Sequence, residues 1–168
     1  MMFSTKAEYG VRVMAHLASH EGTEPVSLGA IAEAESLPLA YLEHLVARLR
    51  RAELVESRRG AHGGYTLARP AEEISMAEVV EALEGHIAPI ECISADADGE
   101  LVCAREATSD HVCPTKLLWT RVQGSIVSTL QEMTLSDLAR ATASRPRGLP
   151  ADPPATDRQQ PVRKPIPV

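Results

Sequence analysis

Apolar positions fall into blocks whose spacing identifies the elements. Tyr9, Val13, His16 and Leu17 follow one another at helical steps after Thr5-x-x-Glu8. Thr5 and Glu8 have the form of a capping box, so the pattern predicts a first helix from Thr5 to about Ser19. Ser27 opens a shorter helix through Leu28, Ile31 and Ala32. Pro38 begins a third, in which Leu39, Leu42, Leu45, Val46 and Leu49 make a continuous apolar stripe and Arg48, Arg50 and Arg51 lie off it. The segment LVESRRGAHGGYTLARP reads as two short strands around a turn containing Gly60, Gly63 and Gly64, closed before Pro70. Ser75-Met-Ala-Glu78 is a second capping box, and the helix it starts turns Val79, Val80 and Leu83 inward and stops at Gly85.

Pro114 marks the start of a long helix in which Trp119, Val122, Ile126, Leu130 and Met133 recur at steps of three and four. That stripe covers about four turns, roughly 21 Å, and so large an apolar face predicts a second copy of the chain as its partner, with packing against the chain's own domain as the alternative. A short helix is expected from about Leu135 to Ala141. From Ala143 on, seven of 26 residues are proline and apolar periodicity ends, so the tail is expected to be disordered. The expected fold is mainly α with one small β-hairpin. Three helices followed by a glycine-tipped hairpin are the order of a winged helix-turn-helix, whose third helix enters the DNA major groove while the wing touches backbone or minor groove. Residues 1–70 would form this domain, residues 71–142 a cysteine loop with the dimerisation helix, and residues 143–168 the tail.

A net charge of −6 argues against nucleic acid until it is divided along the chain. Residues 1–70 hold 8 Lys and Arg against 8 Asp and Glu, residues 71–142 hold 4 against 13, and residues 143–168 hold 5 against 2. Arg48, Arg50, Arg51, Arg58, Arg59 and Arg69 fall within 22 residues that contain only two acids, Glu53 and Glu56. The local field is what meets a phosphate backbone, so this stripe is a candidate DNA surface, with a solvated helix face as the alternative. No signal-peptide core and no apolar run of membrane-spanning length occurs, which predicts a cytoplasmic protein with no membrane partner.

The chain has three cysteines, Cys92, Cys103 and Cys113, separated by ten and nine residues in an acidic segment. An odd number in a reducing compartment points to a metal site or a reactive thiol rather than a disulfide framework. Thiolates hold iron–sulfur clusters and zinc, normally with four ligands, so three cysteines leave one position open. The spacing is wider than that of a zinc knuckle. Cys113 near His111 could also be a nucleophile, but no third orienting group accompanies them, and no enzyme activity is expected.

The segments STKAEYGVRVMAHLA, LPLAYLEHLVARLRRAELVESRRGAHGGYTLARP, ISMAEVVEAL and CPTKLLWTRVQGSI give the chain a resemblance to the iron–sulfur-responsive winged-helix transcription regulators of the IscR/NsrR type, over about residues 2–141. The resemblance implies a homodimeric DNA-binding regulator, a repressor, whose operator affinity is set by a [2Fe-2S] cluster, with [4Fe-4S] as the alternative form. It implies that Tyr41 and Glu43 meet bases in double-stranded operator DNA and that Arg59 enters the minor groove. Gly63 and Gly64 would let the wing approach closely, and His62 would add a phosphate contact or remain solvated. Cys92, Cys103 and Cys113 would ligate the cluster.

The fourth ligand departs from the pattern. The assembly regulators carry a histidine three residues after the last cysteine, where this chain has Lys116, a hydrated cation unsuited to a cluster. The nitric-oxide and redox-sensing branches use an acidic residue in the first helix of the partner subunit, and Glu8 stands at that position. Its other role would be to close the capping box. His111, Glu91 and His86 are further candidates, and a cluster-free thiol-redox or zinc-containing regulator is the alternative to the whole reading.

Overall fold

Helix α1 (Thr5–Ser19) forms as the spacing predicts, but its capping differs. In the computed structural model, which describes residues 3–22, 24–60, 62–88, 93–95, 101–107 and 112–143, the N-cap is Ser4 rather than Thr5, and its hydroxyl accepts the Lys6 N–H at 3.1 Å. Glu8 does not close the box. Glu84, eighty residues further along the chain, takes the Ser4 N–H at 3.0 Å and the Ala7 N–H at 3.3 Å, accepts the Ser4 hydroxyl, and pairs with Lys6 at 3.3 Å. The free N–H groups of the first turn point at the end of another helix, so a carboxylate from that helix satisfies them.

Burial alone pushes the Glu84 carboxyl up, but hydrogen bonds from the Ser4 hydroxyl and N–H, followed by Lys6, hold it below the ordinary glutamate value. A depressed folded value means stability present above the unfolded value and lost as pH falls through the folded one. Glu84→Ala is therefore expected to lower stability by about 1 to 2 kcal/mol at neutral pH, the usual cost of losing a cap. The gap from the unaltered chain should close below about pH 4. Thermal unfolding of both proteins from pH 7 to pH 3 measures this, and a gap constant with pH would remove the carboxylate from the role.

Helix α2 (Leu28–Glu35), capped by the Ser27 hydroxyl, leads through Ser36 in the left-handed region to α3 (Leu39–Arg51). Leu42, Leu45, Val46 and Leu49 of α3 are buried as predicted. Leu39, expected in the stripe, is 46% exposed at the helix start. Strands β1 (Val55–Arg58) and β2 (Gly64–Leu67) pair antiparallel, Val55 opposite Leu67 and Arg58 opposite Gly64. Val26 adds a separate rung, an isolated bridge to β2, exchanging backbone hydrogen bonds with Tyr65 at 2.8 and 3.0 Å. A short 3-10 turn (Ala71–Glu73) then leads to α4 (Met76–Glu84), whose Ser75–Glu78 capping box forms as read and whose C-cap is Gly85.

One core joins these parts across residue 70. Met14, Ile31, Leu42, Leu45, Leu49 and Leu54 lie against Ile74, Val79, Leu83 and Leu135. Gly10 lets α1 close on α4, since a Cβ there would stand 2.1 Å from Leu83 Cδ1. The cysteine segment, expected as a loop, contains β3 (Ile93–Ala95) and β4 (Leu101–Cys103), paired with Ile93 opposite Cys103, and the one-turn helix α5 (Ala104–Ala107). Helix α6 (Lys116–Glu132) follows, and α7 (Leu135–Ala143) returns to α1 with Leu135 fully buried. The final 25 residues, including nearly all of the expected tail, and also Cys92, Glu91 and His111, lie outside the described residues.

Candidate nucleic-acid interface and cysteine site

Helix α3 turns its apolar side to the core, and the side opposite carries Glu43, His44, Ala47, Arg50 and Arg51, all exposed. Glu43 and Arg50 line a cleft of ≈ 210 Å³ with Val46, Ala47 and Tyr65 of β2, where the helix meets the wing. Arg50 Nη1 donates to Ser57 Oγ at 3.3 Å, which ties the helix to β1. Tyr41 does not share this face. It lies two residues from Glu43, about 200° round the helix, and its ring packs edge-on against Tyr9 of α1 with centroids 5.7 Å apart. The aromatic ring is drawn to the apolar seam between α1 and α3, which separates the two residues expected to meet bases together.

Two arginines of the basic stripe are also redirected. Arg48 Nη1 donates to the Leu83 carbonyl at 3.0 Å, covering one of the unpaired carbonyls at the end of α4, so it sits away from the wing side. Arg69 pairs with Glu78 at 2.7 Å and donates to the Glu73 carbonyl at 3.3 Å. The hydrogen bond with Glu78, followed by the charge of Glu78, raises the Arg69 pKa. Arg50, Arg51, Arg58 and Arg59 remain exposed around α3 and the wing, with His62 at the tip.

The wing glycines have work inside the chain. Gly60 holds a φ of +119°, a value that other residues rarely adopt. A Cβ on Gly63 would stand 2.4 Å from the Arg58 carbonyl oxygen, and one on Gly64 would stand 2.5 Å from that of Val26. These two therefore close the turn on itself and on the Val26 rung. Both glycines are thus required by the chain's own backbone, whatever the wing also approaches.

A second site lies where β4 runs toward α6. Cys103 is buried and Cys113 half-exposed, and the Cys113 thiol is held below its ordinary value by a hydrogen bond with the Thr115 hydroxyl, 3.4 Å away, then by the Thr115 backbone and the Cys103 thiol. Burial opposes this. Glu106 braces the site: one carboxylate oxygen accepts the Cys113 N–H at 2.8 Å and the other meets Lys116 Nζ at 2.6 Å. Those two contacts, Lys116 first, keep the Glu106 carboxyl below its usual range. Glu106 is a site residue that the spacing of cysteines does not reveal.

Two adjoining thiols suit a thiolate-held iron or zinc group, yet among the described residues no three His, Cys, Asp or Glu side chains of one chain converge. His86 is directed elsewhere, 2.9 Å from Gln123 Nε2. Glu8 is exposed and lines a largely apolar groove of ≈ 480 Å³ with Phe3, Val11, Val80 and Leu130. Leu130 stands 14 residues along α6 from Lys116, roughly 21 Å of helix, so Glu8 belongs to the opposite end of α6 from Cys113. Helix α6 itself has one buried side chain, the polar Gln123 at 3% exposure, while Leu117 and Leu118 are 65% and 56% exposed.

Comparison with known proteins identifies the family and the fold. The family profile described as "Rrf2: Iron-dependent Transcriptional regulator" matches residues 3–141. Protein rrf2 of Nitratidesulfovibrio vulgaris is 37% identical over 147 residues, which is 88% of this chain and 93% of that protein. The solved structure of T. potens IscR superposes with a TM-score of 0.69 at 37% identity, covering 88% of this chain and 94% of that one. That of CymR (YrzC), the global cysteine regulator of B. subtilis, gives 0.66 at 37% identity, covering 84% and 98%.

Proposed function

The chain belongs to the Rrf2 family of DNA-binding transcriptional regulators, and from that premise we propose that it is a homodimeric repressor whose operator affinity is set by an iron–sulfur cluster held on Cys92, Cys103 and Cys113. The observation that carries the proposal is the meeting of Cys103 and Cys113 beside the start of α6, the helix whose stripe of Trp119, Val122, Ile126 and Leu130 the single chain leaves half-buried. No helix among the described residues is long and apolar enough to cross a membrane.

The DNA surface is the exposed side of α3 together with the wing. Glu43 accepts from a base such as cytosine and repels phosphate, so it filters sequence more than it adds affinity. Arg50 and Arg51 meet phosphates, with Arg50 steadied by Ser57. Arg59, exposed at the wing, enters the minor groove. Arg59→Ala is expected to weaken operator binding by about 1 to 3 kcal/mol, roughly 5- to 150-fold, with the fold intact. Titration of a palindromic operator at fixed salt measures the loss; unchanged affinity would take Arg59 out of the interface.

Two subunits related by a two-fold axis bury the same face of α6 on both sides. If the two helices run antiparallel, the start of one lies beside the end of the other, and Glu8 of one subunit reaches the cysteine segment of its partner. Glu8 is available for this because Glu84, not Glu8, caps α1. When bound, the cluster supplies chemistry that redox change, nitric oxide or iron shortage alters. With Glu8 engaged, α1 of one subunit is tied to the other subunit; with Glu8 released, Glu84 and the core alone hold α1. Only such a difference between two states shifts DNA affinity.

Anaerobic purification tests the reading. A brown protein with stoichiometric iron and sulfide is expected, and resonance Raman spectroscopy distinguishes a [2Fe-2S] from a [4Fe-4S] form. A second reading has its own observation: the lowered Cys113 thiol beside Cys103 is the chemistry of a thiol-redox switch, and CymR is among the similar proteins. A colourless protein with a reactive Cys113, or one carrying zinc, would favour it.

A further inference from the structure

Leu39 has no place in the core. The apolar stripe of α3 continues through Leu42, Leu45, Val46 and Leu49, all buried, whereas Leu39 is 46% exposed. The other exposed large apolar side chains among the described residues, Val102, Val112, Leu117, Leu118 and Met133, all follow residue 100, so Leu39 stands alone within residues 1–70. A single exposed leucine needs no explanation by itself, but this one has a particular position. At 100° per residue, Leu39, Glu43 and Arg50 fall within about 40° of one line along α3. Leu39 opens that line, at the N-terminal end by which a recognition helix meets base edges. Glu43 and Arg50 are exposed with it, and Arg51, Arg58 and Arg59 are exposed around them.

Resting on the reading of α3 as the base-reading surface, we propose that Leu39 is a specificity-determining residue that packs on the C5-methyl group of a thymine in the operator. Thymine alone presents a methyl group in the major groove, and an apolar side chain selects it by burying that methyl. Leu39 has no donor or acceptor, so any other base edge beneath it would lose water without gaining a partner. Glu43 stands four residues on, about 6 Å along the helix axis, against about 3.4 Å between successive base pairs. The thymine therefore lies about one or two base pairs from the cytosine that Glu43 reads. Charge decides the occupant: four exposed arginines around the line suit a polyanion, and an apolar protein surface would leave them unpaired.

The test uses the purified full chain and the duplex it enriches from a random-sequence library. Each thymine of the enriched half-site is replaced in turn by deoxyuridine, which lacks only the methyl group, and binding is titrated at fixed salt. With the unaltered chain, one thymine near the cytosine that depends on Glu43 is expected to lose about fourfold in affinity per half-site, the worth of one buried methyl. Leu39→Met keeps an apolar end and should keep that loss, whereas with Leu39→Ala it should fall below about twofold. Leu39→Gln keeps the length of the side chain without its apolar end and should behave as Leu39→Ala does. Because Leu39 is exposed and alanine favours a helix, the fold should survive, which circular dichroism checks. Deoxyuridine losses that are the same in Leu39→Ala as in the unaltered chain, or absent from both, overturn this inference alone, and so does a half-site with no thymine near that cytosine. Glu43→Ala separates the two readings: if it enriches the same sequence as the unaltered chain, α3 does not read bases and both fall. A library from which no sequence is enriched overturns both as well.

Discussion

Ile126→Glu is expected to turn the dimer into a folded monomer and to abolish operator binding at concentrations where the unaltered chain binds. Ile126 is only half-buried in the single chain, so the monomer fold survives the change. In the proposed two-fold seam the new carboxylate has no cation facing it, and an uncompensated buried charge costs about 3 to 5 kcal/mol. That corresponds to roughly 150- to 5,000-fold weaker association. The loss passes directly to DNA, since two recognition helices about one DNA turn apart are what a palindromic site requires. Sedimentation velocity at micromolar concentration reads the assembly and circular dichroism the fold. A dimer of normal affinity would remove Ile126 from the seam, and a monomeric unaltered chain would overturn the arrangement.

What could be read from the sequence was what depends on neighbours a few positions away. The periods of α1 to α4 and α6, the Ser75–Glu78 box and the two-stranded wing rest on local spacing, and all formed. The misreadings share a different cause. Thr5 and Glu8 satisfy the local rule for a capping box, but the carboxylate at α1 comes from Glu84, and no local pattern signals a partner eighty residues away. Contacts made by Arg48, Arg69 and Tyr41 were likewise invisible locally: the Leu83 carbonyl, Glu78 and Tyr9 come from distant parts of the chain, and none of these contacts decides whether Arg48 or Tyr41 meets DNA. Strands β3 and β4 have three residues each in an acidic segment, too short for alternation to show. The cysteines announced a site, but its brace, Glu106, is one acid among many in that half of the chain.

The largest effect is expected at the cysteines themselves, and the answer to which group completes them follows from the same series. Cys92→Ala, Cys103→Ala and Cys113→Ala should each abolish stable cluster binding, because removing any one thiolate leaves too few ligands for either cluster form. Glu8→Gln is the sharper change. It replaces an anionic ligand with a poor neutral one while leaving α1 intact, since the N–H groups at that helix start belong to Ser4 and Glu84. The cluster should become labile or change its spectrum with no loss of thermal stability in the cluster-free protein. Mixing supplies a test of geometry: a heterodimer of one Glu8→Gln subunit and one Cys113→Ala subunit should keep one complete site if Glu8 acts across the dimer. In that pairing the subunit with all its cysteines faces a partner whose Glu8 is intact. If Glu8 acted within its own chain, neither site of that heterodimer would be complete and only the labile or altered cluster of the Glu8→Gln protein would remain, with no native spectrum. A Glu8→Gln homodimer with an unchanged spectrum, together with a perturbed His111→Ala variant, would move the fourth ligand to His111 and leave α1 uncoupled from the cluster.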